Sequence, residues 1–312
     1  MVSFRYHVVT IVAVFVALAV GILMGSTLVD QGLVNNLQKQ TKDLSGQIAI
    51  LTQQVSQQQA QLGALQKLTG NEMPLLIGGR LEGKDVVLVT EKGIDLADLN
   101  TVRESLEGSN GAGANVQGVV VLNPSMTLSD PTSRAAVARI LGVPASTSKA
   151  RLSEGLARAL GERLANGPPT TTGEPDLLQE LADAKLVTLS DAPGGAAAMG
   201  GGGSPVVALS GSAPSTPVDA QAFYVPLFDQ LVTRGVPVAA AASSATSSPF
   251  LDQIRAAGGI DGKIVTVDDV DLAPGQLALV WGLERLINGE DGGDYGLNCG
   301  SCSLAPAPAP TP

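Results

Sequence analysis

From Val8 to Val29 the chain carries no charged side chain, and about 20 consecutive apolar residues are what a helix needs to cross the hydrocarbon core of a bilayer. The pattern predicts a transmembrane helix over 8–29 behind a short cytoplasmic tail over 1–7. Arg5 and the amino terminus precede the span and Asp30 is the first charge after it. Positive charge stays inside, so the expected topology is single-pass in the cell membrane, N-terminus in and C-terminal domain extracytoplasmic. The rival reading is a cleaved signal peptide, with Gly25 and Ser26 as small residues near a cut. Signal-peptide apolar cores usually run ~7–15 residues, shorter than this one, and a heptad pattern follows at once. Ala13, Ala17, Gly21 and Gly25 recur at every fourth position, a small-residue face that lets two helices approach closely.

Over 30–70 the composition turns Gln-rich and apolar residues recur at alternating spacings of three and four. Val34, Thr41, Ile48, Val55 and Leu62 fall at one seam position, and Leu37, Leu44, Leu51 and Leu65 at the other. Branched residues at a with Leu at d favour a parallel two-stranded coiled coil, while Thr41 and Gln58 interrupt the seam and help fix register. The expected homodimer interface is Gly21, Gly25, Leu37, Leu44, Ile48, Leu51, Val55 and Leu62. The alternative is one amphipathic helix packed on its own globule; the narrow stripe, close to a/d only, favours the coil. At about 1.5 Å per residue such a stalk would hold the following domain some ~50–60 Å from the membrane.

Past Pro74, short branched apolar runs alternate with helical stretches. The runs are Val86 to Thr90, Val116 to Leu122, Lys185 to Leu189, Val206 to Leu209, Val236 to Ala240 and Ile264 to Val267. Helices are expected over Leu96 to Glu107, Ser133 to Leu141, Leu152 to Leu164, Ala222 to Thr233, Phe250 to Ala257 and Gln276 to Ile287. Buried strands alternating with helices read as an α/β fold with a doubly wound, mostly parallel sheet over 71–289. The Gly-rich stretch Pro193 to Ser204 reads as a flexible loop. The Gly- and Pro-rich end, 290–312, reads as an extended, disordered tail.

Composition narrows the function. Aromatics make up 3% of the chain, so ring-lined cofactor pockets are not expected. A net charge of −10 without a basic cluster argues against nucleic acid, whose phosphates demand a basic face. Gly78, Gly83 and Lys84 have phosphate-loop spacing, but Asp85 stands where Ser or Thr should be and the strand follows the segment instead of preceding it. The glycines Gly200 to Gly203 fit no dinucleotide fingerprint, and no G-x-S-x-G is present. No enzymatic activity is expected.

Two groups of residues could carry chemistry. Asp268, Asp269 and Asp271 follow the last strand, on the edge where open α/β sheets place ligands. They form a cation or partner site, or else Asp271 caps the next helix and the others are solvated. Cys299 and Cys302 form a C-x-x-C pair. As thiolates they are metal ligands suited to Cu(I) or zinc; outside the cytoplasm the alternatives are a local disulfide or a tail with no role.

Three stretches carry a resemblance: the opening run Met1 to Ile22; Leu81 to Val89; and Thr266 to Asp271 with Pro274-Gly275 and Leu286 to Gly289. Together they resemble the actinobacterial copper-transporter family typified by MctB, over most of the chain. The resemblance implies an envelope protein of copper efflux or homeostasis, with a copper ion as the one metal to expect. The same likeness extends to SteB, a relative implicated in envelope maintenance through contact with a peptidoglycan hydrolase. It implies the alternative of a non-enzymatic scaffold that binds such a hydrolase through its coiled coil. One apolar helix per chain leaves no lumen, so transport would require a higher assembly or another component.

Overall fold

A computed structural model of the chain describes residues 4–108, 110–171, 173–211, 218–245, 249–300 and 302–306; the side chains of 4–5, 26–34, 61–62 and 64–71 fall outside the description. The chain divides into two compact units, Met1–Leu65 and Gln66–Pro312.

The first unit is a single helix, part of α1 (Phe4–Ile77). Within it Tyr6–Gly25 is long and apolar enough to cross a membrane by length and composition. Leu37, Leu44, Ile48, Leu51 and Val55 are all more than half exposed in the single chain or at that limit, from 50% to 62%. A Cβ on Gly21 or Gly25 would meet nothing within 4 Å. The Leu62 side chain lies outside the described residues. Thr41 turns its hydroxyl onto Leu37 O at 2.8 Å, so the polar seam position is satisfied within its own helix and exposes no unmet donor.

In the second unit seven strands form one sheet in the order β3-β2-β1-β4-β5-β6-β7. They are β1 (Asp85–Glu91), β2 (Asn115–Leu122), β3 (Val187–Ser190), β4 (Val206–Ser210), β5 (Val238–Ala242), β6 (Val265–Val267) and β7 (Gly293–Tyr295). All neighbours are parallel except β2 and β3. Both faces are covered, which is why the central strands read as unbroken apolar runs. Val87, Val89, Val206, Ala208 and Ala240 point into one core, and Val86, Leu88, Val207, Leu209 and Ala239 into the other. The first core is roofed by α3 (Pro131–Ile140), α4 (Lys149–Asn166), α5 (Leu177–Asp183), α6 (Val225–Thr233) and α7 (Phe250–Arg255). The second lies under α2 (Leu96–Leu106), α8 (Ala273–Ile287) and the end of α1 through Met73 and Ile77.

Several boundaries differ from the sequence reading, each for a physical reason. Strand β5 starts at Val238, because Pro237 has no N–H for the ladder and serves instead as acceptor for Val206 N–H at 2.9 Å. Helix α5, capped by Asp176 accepting from Leu178 N–H, was too short to show a period. The end read as a disordered tail supplies β7, whose Tyr295 is buried; residues 307–312 lie outside the described set.

The Gly-rich loop is pinned rather than loose. Arg163 on α4 donates to both oxygens of Asp176, at 2.6 and 2.8 Å, and to Met199 O and Ala196 O, each at 2.8 Å. Gly200 N–H donates to Gln117 Oε1 at 2.7 Å. Gly200, Gly201, Gly202 and Gly203 all have φ between +62° and +84°, a run that side-chain-bearing residues would strain. Arg163 is buried, and removing one member of a buried ion pair leaves an uncompensated charge. Arg163→Met is expected to lower the unfolding free energy by roughly 3–5 kcal/mol, measured by guanidinium titration in mild detergent; a change within the scatter would show that the loop holds without this clamp.

Candidate functional site

In an open α/β sheet, ligands bind outside the carboxyl ends of the strands where the connections diverge to opposite faces. Here that point is β1 beside β4: the chain leaves β1 for α2 on one face and leaves β4 for α6 on the other. Register carries a polar row across this edge. Thr90 pairs with Leu209, so Glu91 stands beside Ser210; Ser210 pairs with Ala242; Ala241 pairs with Val267, so Asp268 stands beside Ala242. By strand alternation these four residues face the core roofed by α6 and α7.

Glu91 is buried, and Tyr224 Oη donates to its Oε1 at 3.0 Å. Burial pushes the Glu91 carboxyl up to about 7, against the smaller opposing effect of the tyrosine bond. Burial, then the nearby Glu91 charge, pushes the Tyr224 hydroxyl well above its ordinary value. Tyr224 sits among Phe223, Phe228 and Phe250, with ring centroids 4.9 to 5.9 Å away. Beside Glu91, Ser210 Oγ is buried and has no hydrogen-bond partner among the described residues.

At the other end of the row Arg255 ties β6 to β7. Its guanidinium donates to Thr266 Oγ1 at 2.8 Å, Asp268 Oδ2 at 3.1 Å and Tyr295 O at 3.1 Å. Thr266 Oγ1 in turn donates to Asp294 Oδ1 at 2.6 Å. On the opposite face, burial and then Asp271 raise the Asp98 carboxyl, while a bond from Ser243 lowers it.

The three aspartates singled out in the sequence go separate ways. Asp268 pairs with Arg255. Asp271 accepts from Ser244 N–H and Ser244 Oγ, both at 2.6 Å. It does not cap α8, whose cap position is Leu272 without a side-chain bond, because Leu272 N–H turns back onto Asp269 O at 2.8 Å. Asp269 is fully buried, and neither carboxylate oxygen has a hydrogen-bond partner among the described residues. Burial, then Asp268 and Asp271, raise it to about 6 against the opposing Arg255 charge. Among the described residues no three His, Cys, Asp or Glu side chains converge as a metal site. Cys299 and Cys302 are joined in a disulfide with Cα atoms 5.3 Å apart. In this oxidised form neither sulfur is a thiolate, so the pair does not offer the metal ligands that the sequence allowed.

Glu91, Ser210, Tyr224 and Arg255 escaped the sequence reading. The one available signal was a charged residue closing an apolar strand, since Glu91 follows Val86 to Thr90. The site can exchange a proton near neutral pH. Between pH 4.5 and 7 the folded chain holds a proton on Glu91 that the unfolded chain has released. The stabilisation from this group is complete below pH 4.5 and is lost as pH rises through 7, on the order of 3 kcal/mol. Glu91→Gln should flatten the fall in unfolding free energy across that window in denaturant titrations; an unchanged slope would remove Glu91 as its source.

The sequence profile of the family described as "Copper transport outer membrane protein, MctB" matches residues 1–306. Copper transporter MctB of Mycobacterium tuberculosis (strain ATCC 25618 / H37Rv) is 27% identical over 320 residues, covering 97% of this chain and 99% of its own. The Mycobacterium bovis protein of the same name gives the same figures. That of Mycobacterium leprae (strain TN) is 27% identical over 323 residues, again covering 97% and 99%. The match runs from the apolar helix through the whole sheet to the cysteine-bearing loop, and the chain therefore belongs to the MctB copper-transport family.

Proposed function

We propose that this chain is a non-enzymatic copper-handling protein, anchored in the cell membrane by one span with its globular unit outside the cytoplasm, and that the reduced Cys299–Cys302 pair takes up Cu(I). The family match over residues 1–306 carries the reading. Copper enters as cargo. Soft thiolates suit Cu(I), whereas the carboxylates along the sheet edge suit hard cations, and Asp268 and Asp271 are already committed to Arg255 and Ser244. The relatives named above are all copper transporters, which favours copper over the hydrolase-binding scaffold.

A single span makes no conduit by itself, so copper movement through the membrane requires an assembly or a second component. The exposed stripe Leu37, Leu44, Ile48, Leu51 and Val55 supports pairing with a second copy as a parallel coil, with Gly21 and Gly25 allowing close approach of the spans.

Cu(I) titration of the anaerobically reduced full chain in detergent, against a chromophoric Cu(I) chelator, should show stoichiometric uptake that is lost in the Cys299→Ala, Cys302→Ala double variant. Equal uptake by both would move the site elsewhere, and uptake by neither would overturn copper handling by this chain. Sedimentation of the same material should give a dimer that Leu44→Lys with Leu51→Lys converts to monomer; a monomeric wild type would contradict the coil.

A further inference from the structure

A disulfide between residues three apart closes too short a loop to constrain the unfolded chain as a whole, and its constraint falls on the turn itself. The Cys299–Cys302 bond therefore adds little to the stability of the sheet, and its effect is local. Cys302 N–H donates to Cys299 O at 3.2 Å, and Gly296 N–H donates to Ser303 O at 3.0 Å. Tyr295 and Ser303 form an isolated parallel bridge. Within this turn Asn298 reaches back to the sheet. Its N–H donates to Asp268 Oδ1 at 3.0 Å and its Nδ2 to Ser244 O at 3.2 Å. Gly296 lies so close on Asp268 that a Cβ would collide with the carboxylate. Gly296 and Asn298 thus lie over the end of β6, while Cys299 and Cys302 are half-buried and reachable by small reagents.

We propose that the Cys299–Cys302 disulfide is a redox-operated latch: a dithiol reductant opens the turn and lifts Gly296 and Asn298 off Asp268 and Ser244, and exchange with an oxidised dithiol, which leaves in its reduced form, closes it. A thiolate of the reductant attacks one sulfur, the Cys299–Cys302 bond breaks and a mixed disulfide forms. The second thiol of the reductant then displaces the remaining cysteine. Two electrons and two protons pass to Cys299 and Cys302, and the reductant leaves as its own disulfide. Without the covalent bond the segment is held by the two Asn298 bonds, one of them to the buried Asp268 carboxylate, and by the Gly296–Ser303 and Cys302–Cys299 backbone bonds. Reduction returns to the open segment the chain entropy that the crosslink had removed from it, and these few bonds no longer outweigh that entropy. Asp268 keeps Arg255 in both forms, and the sheet persists. The latch goes beyond the copper reading and stands on the loop contacts alone.

The test is residue-resolved amide hydrogen exchange on the full chain in detergent, with and without a dithiol reductant. Reduction should abolish protection at Gly296, Asn298 and Cys302 and leave Val265, Thr266 and the β5 amides unchanged. A Cys299→Ser, Cys302→Ser variant should show the open pattern whether or not reductant is present. Retained protection at Asn298 in the reduced wild type, a variant as protected as the oxidised wild type, or acceleration of β5 and β6 together with the loop would each overturn the latch.

Discussion

The parallel pairing of β1 with β4 is the contact on which the globular unit depends. Val87 to Thr90 pair with Val206 to Leu209 on one side and with Gly118 to Val121 on the other, so β1 is hydrogen-bonded along both edges and buried on both faces. Because the chain departs from these two strands toward opposite faces, the edge between them is not closed by a connection of its own. Glu91 and Ser210 meet there, brought together by register from positions more than a hundred residues apart in sequence. Their burial follows from the same geometry: a strand covered on both sides carries its last side chain into the core before the chain turns.

The sheet was legible because its central strands β1, β4 and β5 carry runs of Val, Leu and Ala, the signature of burial on both faces. What could not be read was whatever depends on partners far away in sequence. Tyr224 bonds Glu91 across 133 positions, and no local pattern announces it. Strand β7 is Gly-Asp-Tyr, with neither length nor branched residues; it forms because Arg255 holds Tyr295 O and Asp268 together. The aspartate cluster looked like one site in sequence, yet the turn from Leu272 back to Asp269 sends the three carboxylates in different directions. The cysteine pair was visible, but its oxidation state belongs to the surroundings and not to the spacing.

The two chemical centres of the globular unit differ in kind. The sheet edge is rich in carboxyl and hydroxyl oxygen, and two of its acids, Glu91 and Asp269, are raised toward neutral pH by burial. The loop after β7 carries sulfur. Asn298 joins the two centres, since one residue of the cysteine loop bonds both Asp268 and the Ser244 carbonyl. A change in the sulfur chemistry is felt first at the oxygen-rich edge.

If copper meets this chain through sulfur, as proposed for the reduced Cys299–Cys302 pair, the atoms bonded to the ion include sulfur. X-ray absorption at the copper edge, on the reduced full chain loaded with Cu(I), should show sulfur scatterers in the first shell and the spectrum of a monovalent ion. A coordination shell made only of oxygen and nitrogen would rule out Cys299 and Cys302 as the copper ligands.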